Sequence, residues 1–256
     1  MSKNHLIIQI SENFCSLSEL KNGEINSINS LLFEGKKDFQ YKEQLKLFCN
    51  ENINQEYDEI SVSWITPNAL LVPSNIFAPN EIESLFSACF NKTVSKAELD
   101  YNRLMESSLV TIYEIPLWIK SFFIIRFPRV IIQHEYSHQI RGMLKNNASN
   151  LKIEVSVFPD LLILTLVEKN EVILCNSYEI NHVNDVIYYL SFALQQKNLL
   201  HTKGKLNFSI HTFSSINEDD LSEKLKKIEV FSQNYFASNQ VTFNNSQTLK
   251  FQEFCV

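Results

Sequence analysis

His134-Glu135-Tyr136-Ser137-His138 is the one stretch of this chain whose residue types and spacing match a known chemistry. Two histidines with three residues between them stand one turn apart on a helix, so both imidazoles can share a zinc ion, and the glutamate beside the first can act as general base on zinc-bound water. That chemistry is peptide hydrolysis, with His134 and His138 as ligands and Glu135 as the base. Three features of the surrounding sequence oppose it. His134, His138, Arg141 and Lys145 recur at three and four residues, which puts both histidines on a solvent-facing side of a helix that continues into cations, while the buried stripe runs through Tyr136, Ile140, Met143 and Leu144. A third protein ligand is also required, and where an extended zinc motif would place a further histidine the chain has Leu144. Glu154 is the substitute within reach of the argument, but its alternation with Ile153 and Val155 in a strand predicts a solvent-facing residue. Gly142, finally, falls one position late for the glycine of the extended motif. The reading is therefore no metal, no catalytic residue and no cofactor, with the zinc peptidase kept as the alternative.

Other chemistries have less behind them. No G-x-S-x-G elbow occurs, His182 beside Asn181 reads as a helix start, and His211 follows the strand residue Ile210. The acids Glu218, Asp219 and Asp220 open a helix, where they complement its dipole rather than bind a metal. A hydrophobic content of 45% excludes a disordered chain, and a net charge of -6 without a basic stripe argues against nucleic acid as a partner. Arg126-Phe127-Pro128-Arg129 is too short a basic loop to serve as a footprint. The five cysteines are widely spaced and odd in number, and most lie in apolar runs, as expected for reduced thiols in a cytoplasmic protein. Leu6 to Ile8 is too short for a signal-peptide core, and no segment is apolar for long enough to span a membrane.

The elements around these residues form a pattern that occurs twice. Leu6 to Ile10, Phe14 to Leu20, the pause Lys21-Asn22-Gly23 and the run Glu24 to Phe33 are matched by Leu151 to Val155, Leu161 to Val167, the pause Glu168-Lys169-Asn170 and the run Glu171 to Ile180. Leu17 and Leu164 are separated by the same number of residues as Glu24 and Glu171. A helical stretch follows each meander, Tyr41 to Asn50 and Asn184 to Asn198, and then a strand, Ile60 to Trp64 and Leu206 to Ile210. This is a duplicated α/β unit: two mixed sheets, each with a three-strand antiparallel meander and flanking helices. The polar segment 146–150 marks the junction, dividing the chain into residues 1–147 and 148–256. Between the repeats, Asn80 is expected to cap a helix through Phe90, and a helix is expected from about His134 to Asn146. Strands are expected at Val230 to Phe236 and Thr248 to Phe254.

Leu6 to Ser11, Tyr57-Asp58-Glu59, Leu71-Val72-Pro73, Tyr113-Glu114-Ile115-Pro116, Ile173 to Tyr178 and Asp185 to Leu190 resemble a bacterial family of unknown function from Bacteroidetes-type genomes, domain-of-unknown-function family 3822. The resemblance implies a duplicated ribonuclease-H-like fold, that of the actin-like ATPases. Active members of that superfamily hold nucleotide phosphates on two glycine-bearing acidic turns, where backbone N–H groups approach the phosphates closely. The corresponding turns here, Ser11-Glu12-Asn13 and Ser156-Val157-Phe158-Pro159-Asp160, contain no glycine, and Pro159 removes a donor. Only Gly23, Gly35, Gly142 and Gly204 occur in the whole chain. Glu12 and Asp160 are accordingly read as solvated turn residues. The expected function is non-catalytic: a scaffold or binding protein with an unidentified protein partner. A degenerate ATP binder is the other alternative.

Overall fold

A computed structural model describes residues 4–34, 38–145 and 149–255. The chain divides into two compact units, one of residues 1–138 with 249–256 and one of residues 139–248. Of the segment 146–150, residues 146–148 lie outside the described ones.

The first unit is built on β1 (His5–Ile10), β2 (Phe14–Lys21), β3 (Glu24–Leu32), β4 (Glu59–Trp64) and β8 (Ile131–His134), in the order β3-β2-β1-β4-β8, with α1 (Asp38–Asn52) between β3 and β4. The second repeats this order as β11-β10-β9-β12-β13, from β9 (Leu151–Val157), β10 (Leu161–Glu168), β11 (Glu171–Glu179), β12 (Lys205–Ile210) and β13 (Val241–Phe243). Registers agree as well as order. Leu17 pairs with Ile8 and Asn29, and Leu164 with Val155 and Asn176, so each partner lies one repeat length on. The pauses between the second and third strands are tight turns in which Asn22 and Gly23, and then Lys169 and Asn170, all have positive φ. That geometry suits the twist of a two-residue hairpin and explains Asn22, Gly23 and Asn170, residue types that take positive φ readily, while Lys169 adopts it without that preference. The duplication read from the sequence is the fold.

Each sheet has an apolar face and a polar one. In the second unit Leu151, Ile153, Val155, Leu162, Leu164 and Leu166 pack against α5 (Val183–Gln196) through Val186, Leu190 and Leu194, and α6 (Glu218–Lys226) adds Leu221 and Leu225. The opposite face carries Glu154, Ser156, Thr165, Asn207 and Ser209, all nonetheless buried. In the first unit the equivalent face carries His5, Gln9, Ser61 and Ser63. Burial of both faces is what central strands flanked on both sides require.

Between β4 and β8 the chain inserts a small antiparallel sheet, β5 (Ala69–Pro73), β6 (Leu99–Leu104) and β7 (Leu109–Glu114) in the order β5-β7-β6, with α2 (Ile82–Phe90) across it. Ile82, Phe86, Val72, Leu99, Val110 and Ile112 form its separate core. α3 (Leu117–Arg126) then leads to β8.

Several expected elements differ. The cap of α2 is Glu81, without a side-chain bond, rather than Asn80. α4 spans Glu135–Lys145, so His134 ends a strand and does not start the helix. Residues 229–236 are helical (α7, Glu229–Phe231, then a wide turn of helix over Ser232–Phe236), because Phe231 and Tyr235 bury one face at a spacing of four. The terminal segment is likewise helical, α8 (Gln247–Phe251) followed by a tighter turn over Gln252–Cys255, with Thr248, Phe251 and Gln252 buried on one side. Both runs were too short for their period to be told from a strand. Of the cysteines, Cys15, Cys49 and Cys175 are buried, Cys255 is half-buried and Cys89 is exposed. Among the described residues no helix is long and apolar enough to cross a membrane.

Candidate functional site

The H-E-x-x-H residues occupy a strand-to-helix corner. β8 runs directly into α4, and His134, Glu135, Ser137 and His138 are all completely buried. This corrects the expectation of solvent-facing histidines: the alternation of cations with the histidines described only the last turns of α4, where Arg141 is half-buried and Lys145 exposed.

His134 is held at both ring nitrogens. Its Nδ1 lies 3.1 Å from the Tyr136 N–H and must accept, so the proton sits on Nε2, which donates to the Thr66 carbonyl at 3.2 Å. The ring packs against Tyr113 and, edge to face, against Tyr136. Burial pulls its pKa down from 6.5 to about 3, since the charged imidazolium would lose its hydration there, and the bond to the Thr66 carbonyl opposes this only in part. The Asn102 side chain accepts from the His134 N–H at 2.9 Å and from Ser137 Oγ at 3.1 Å, and Ser137 Oγ also meets Thr111 Oγ1 at 3.2 Å. Asn102 and Thr111 belong to the inserted sheet, so this polar cluster docks the insertion onto the corner.

Glu135 accepts a short hydrogen bond from Ser63 Oγ on β4. Its position as the first residue of α4 places the carboxylate against the positive end of the helix. Nearby on the same strand, Ser61 Oγ lies 2.8 Å from His5 Nε2 and donates to Gln252 Oε1 at 2.6 Å. Gln252, completely buried, is thus how the terminal segment joins the first unit.

Glu154 stands in the other unit. It is buried, contrary to expectation, and its carboxylate accepts from Asn207 Nδ2 at 2.8 and 2.9 Å and from Ser209 Oγ at 2.9 Å. Alternation along β9 was read correctly, but the far face of the sheet is covered rather than wet. The same face holds Gln139, which donates to Ser156 Oγ at 2.9 Å and accepts from Thr165 Oγ1 at 2.7 Å. Chemically, His134 would have to give up the bond from the Tyr136 N–H to bind a metal through Nδ1, or both ring bonds to bind through Nε2, and among the described residues no group of three His, Cys, Asp or Glu side chains is placed to hold one. The buried polar residues Ser61, Ser63, Asn207 and Ser209 escaped the sequence reading, though the alternating serines of β4 were a visible signal.

The two turns that would face phosphates are closed on themselves. In the first, Ser11 Oγ accepts from the N–H groups of Asn13 and Phe14, and the Ser11 N–H bonds the Phe14 carbonyl. In the second, the Phe158 N–H bonds the Leu161 carbonyl at 2.7 Å and Pro159 has no N–H to offer. Glu12 and Asp160 are exposed. Elsewhere, a cavity of about 620 Å³ opens at the N-terminal ends of α5 and α6. Four backbone N–H groups at these helix starts are already engaged: Asp185 takes those of Asn181 and His182, which lowers its own pKa, and Asn217 takes those of Asp219 and Asp220. His182 is the residue preceding α5, as read.

The family model for proteins of unknown function DUF3822 matches residues 1–234. The chain belongs to the DUF3822 family. Among solved structures, a Bacteroides thetaiotaomicron protein described as having an actin-like ATPase fold and unknown function superposes with a TM-score of 0.75 at 20% identity, covering 99% of this chain and 95% of that one. The PilM–PilN type IV pilus biogenesis complex matches with a TM-score of 0.53 at 10% identity, over 97% of this chain and 94% of that chain. These likenesses place the DUF3822 chain in the actin-like ATPase fold. No match emerged among curated proteins.

Proposed function

We propose that this DUF3822 protein acts in the cytoplasm by binding another protein, as a scaffold or adaptor, and does not turn over a nucleotide. The observation that carries this reading is the closure of both turns. A phosphate needs convergent unpaired N–H groups that backbone can bring close. Here Ser11 and the Phe158–Leu161 pairing take those groups, and no glycine opens either turn. The polar residues of the repeat are also buried in bonds to each other, so they stabilise the sheets rather than face a substrate. A protein of similar fold solved as a complex with a protein partner, PilM with PilN, supports binding as a use of this architecture.

The test is thermal unfolding with and without ATP and Mg2+. A ligand at a hundred times its dissociation constant adds about 2.7 kcal/mol, so binding would be visible as a clear rise in melting temperature. No rise and no phosphate release are expected. Saturable micromolar ATP binding that disappears in Glu12→Ala or Asp160→Ala would overturn the proposal.

A further inference from the structure

The two hairpin turns that occupy equivalent places in the repeat are not chemically equal. In the first, Lys21 pairs with Glu24 and leaves Asn22 and Gly23 as the whole loop. In the second, Glu168 pairs with Glu171 around Lys169 and Asn170. Both asparagines are exposed and both take positive φ. What differs is the residue that follows each. Asn22 is followed by Gly23, and since Glu34, Arg141 and Lys203 precede the other glycines, this is the chain's one Asn-Gly pair. Asn170 is followed by Glu171, which carries a side chain and already belongs to the strand ladder.

That order decides whether an asparagine side chain can react with its own backbone. The next residue's nitrogen must reach the side-chain carbonyl carbon, and a Cβ on that next residue stands in the way. Gly23 has none, and its place in the loop keeps its nitrogen out of the ladder. A Cβ built on Gly23 would meet nothing within 4 Å, so no neighbouring element crowds the turn.

We propose that Asn22 is a site of spontaneous covalent modification, deamidating through a cyclic imide to aspartate and isoaspartate. The Gly23 nitrogen attacks Asn22 Cγ: a C–N bond forms, the bond from Cγ to Nδ2 breaks, and Nδ2 leaves as ammonia with the proton that Gly23 gave up. Water then opens the imide. Cleavage between the Gly23 nitrogen and Cγ gives aspartate in an ordinary backbone; cleavage between that nitrogen and the Asn22 carbonyl carbon gives isoaspartate, with the chain running through Cβ and Cγ. Either product puts a negative charge where the turn had a neutral amide, beside the exposed Glu24. Isoaspartate also adds a backbone carbon to a loop whose length sets the register of β2 on β3, so that product loosens the hairpin.

The experiment holds the full chain at pH 8 and 37 °C for days and maps it by peptide mass spectrometry, with methyl transfer by an isoaspartate-specific carboxyl methyltransferase as the second readout. The amide-to-acid mass gain should appear at Asn22 at least about ten-fold faster than at Asn170, whose following residue has a Cβ. Methyl incorporation should grow with it, and hydrogen exchange at Lys21 and Glu24 should be faster in the aged chain than in the fresh one. Asn22→Lys copies Lys169, which holds the same turn position at positive φ, and should melt as the wild type does while gaining neither the mass nor the methyl groups. Deamidation at Asn22 no faster than at Asn170 would overturn the proposal. So would methyl incorporation in Asn22→Lys equal to that of the wild type, or an aged chain in which residue 22 holds aspartate alone.

Discussion

Lowering the pH from 7 to 5 should destabilise the first unit through His134. The ring is buried as the neutral Nε2–H form, with a pKa of about 3 against 6.5 for a free histidine. A depressed histidine pKa means that the unfolded chain takes up a proton that the folded one refuses. The stabilisation is therefore whole above pH 6.5 and is lost as the pH falls from there toward 3. At pH 5 the unfolded histidine is protonated by 1.5 pH units, and at 1.36 kcal/mol per unit the loss is roughly 2 kcal/mol. Urea unfolding followed by tryptophan fluorescence reads this unit selectively, because Trp64 and Trp118 are the chain's two tryptophans and both precede His138. His134→Gln should be less stable than the wild type at pH 7, having lost the bond from Tyr136 or to Thr66, but its further loss between pH 7 and 5 should be smaller by roughly 2 kcal/mol. An equal loss in the variant would refute the assignment, as would an imidazole resonance of His134 titrating near 6.5.

His138→Ala, at a buried position, should destabilise the chain by about 2–4 kcal/mol, where an exposed helical histidine would move it by about 0.5 or less; chemical denaturation distinguishes the two. Protein purified without a histidine tag or chelator is expected to carry no stoichiometric zinc, and one zinc per chain lost in either His134→Ala or His138→Ala would reinstate the peptidase reading with Glu135 as base. Ser63→Ala should lower stability by about 1–3 kcal/mol, because it strips a donor from the buried Glu135 carboxylate, and adding Glu135→Gln should recover part of that loss. Gly204→Ala should destabilise the second unit by about 1–3 kcal/mol, since a Cβ there would lie 2.7 Å from the Leu151 carbonyl oxygen; hydrogen exchange in β9 and β12 would show it first.

The sequence by itself determined the duplication. Apolar alternation, two polar pauses suited to positive φ and a constant spacing carried the meanders, their crossover helices and the matching strand registers, because each of these is a local property of period and turn chemistry. It also showed that neither phosphate turn has a glycine. What only the tertiary structure decided was the environment of the polar residues. Glu154 and the histidines of H-E-x-x-H read as solvent-facing because period reveals which residues share a face, not whether another element covers that face. The inserted sheet covers His134 through Asn102, β4 supplies Ser63 to Glu135, and β12 supplies Asn207 and Ser209 to Glu154. These partners are separated by 32 to 72 residues along the chain, with no spacing rule to connect them. The short helices at Phe231 and Phe251 were misread for a related reason: a run of a few apolar residues fits either period until the surface that buries it is known.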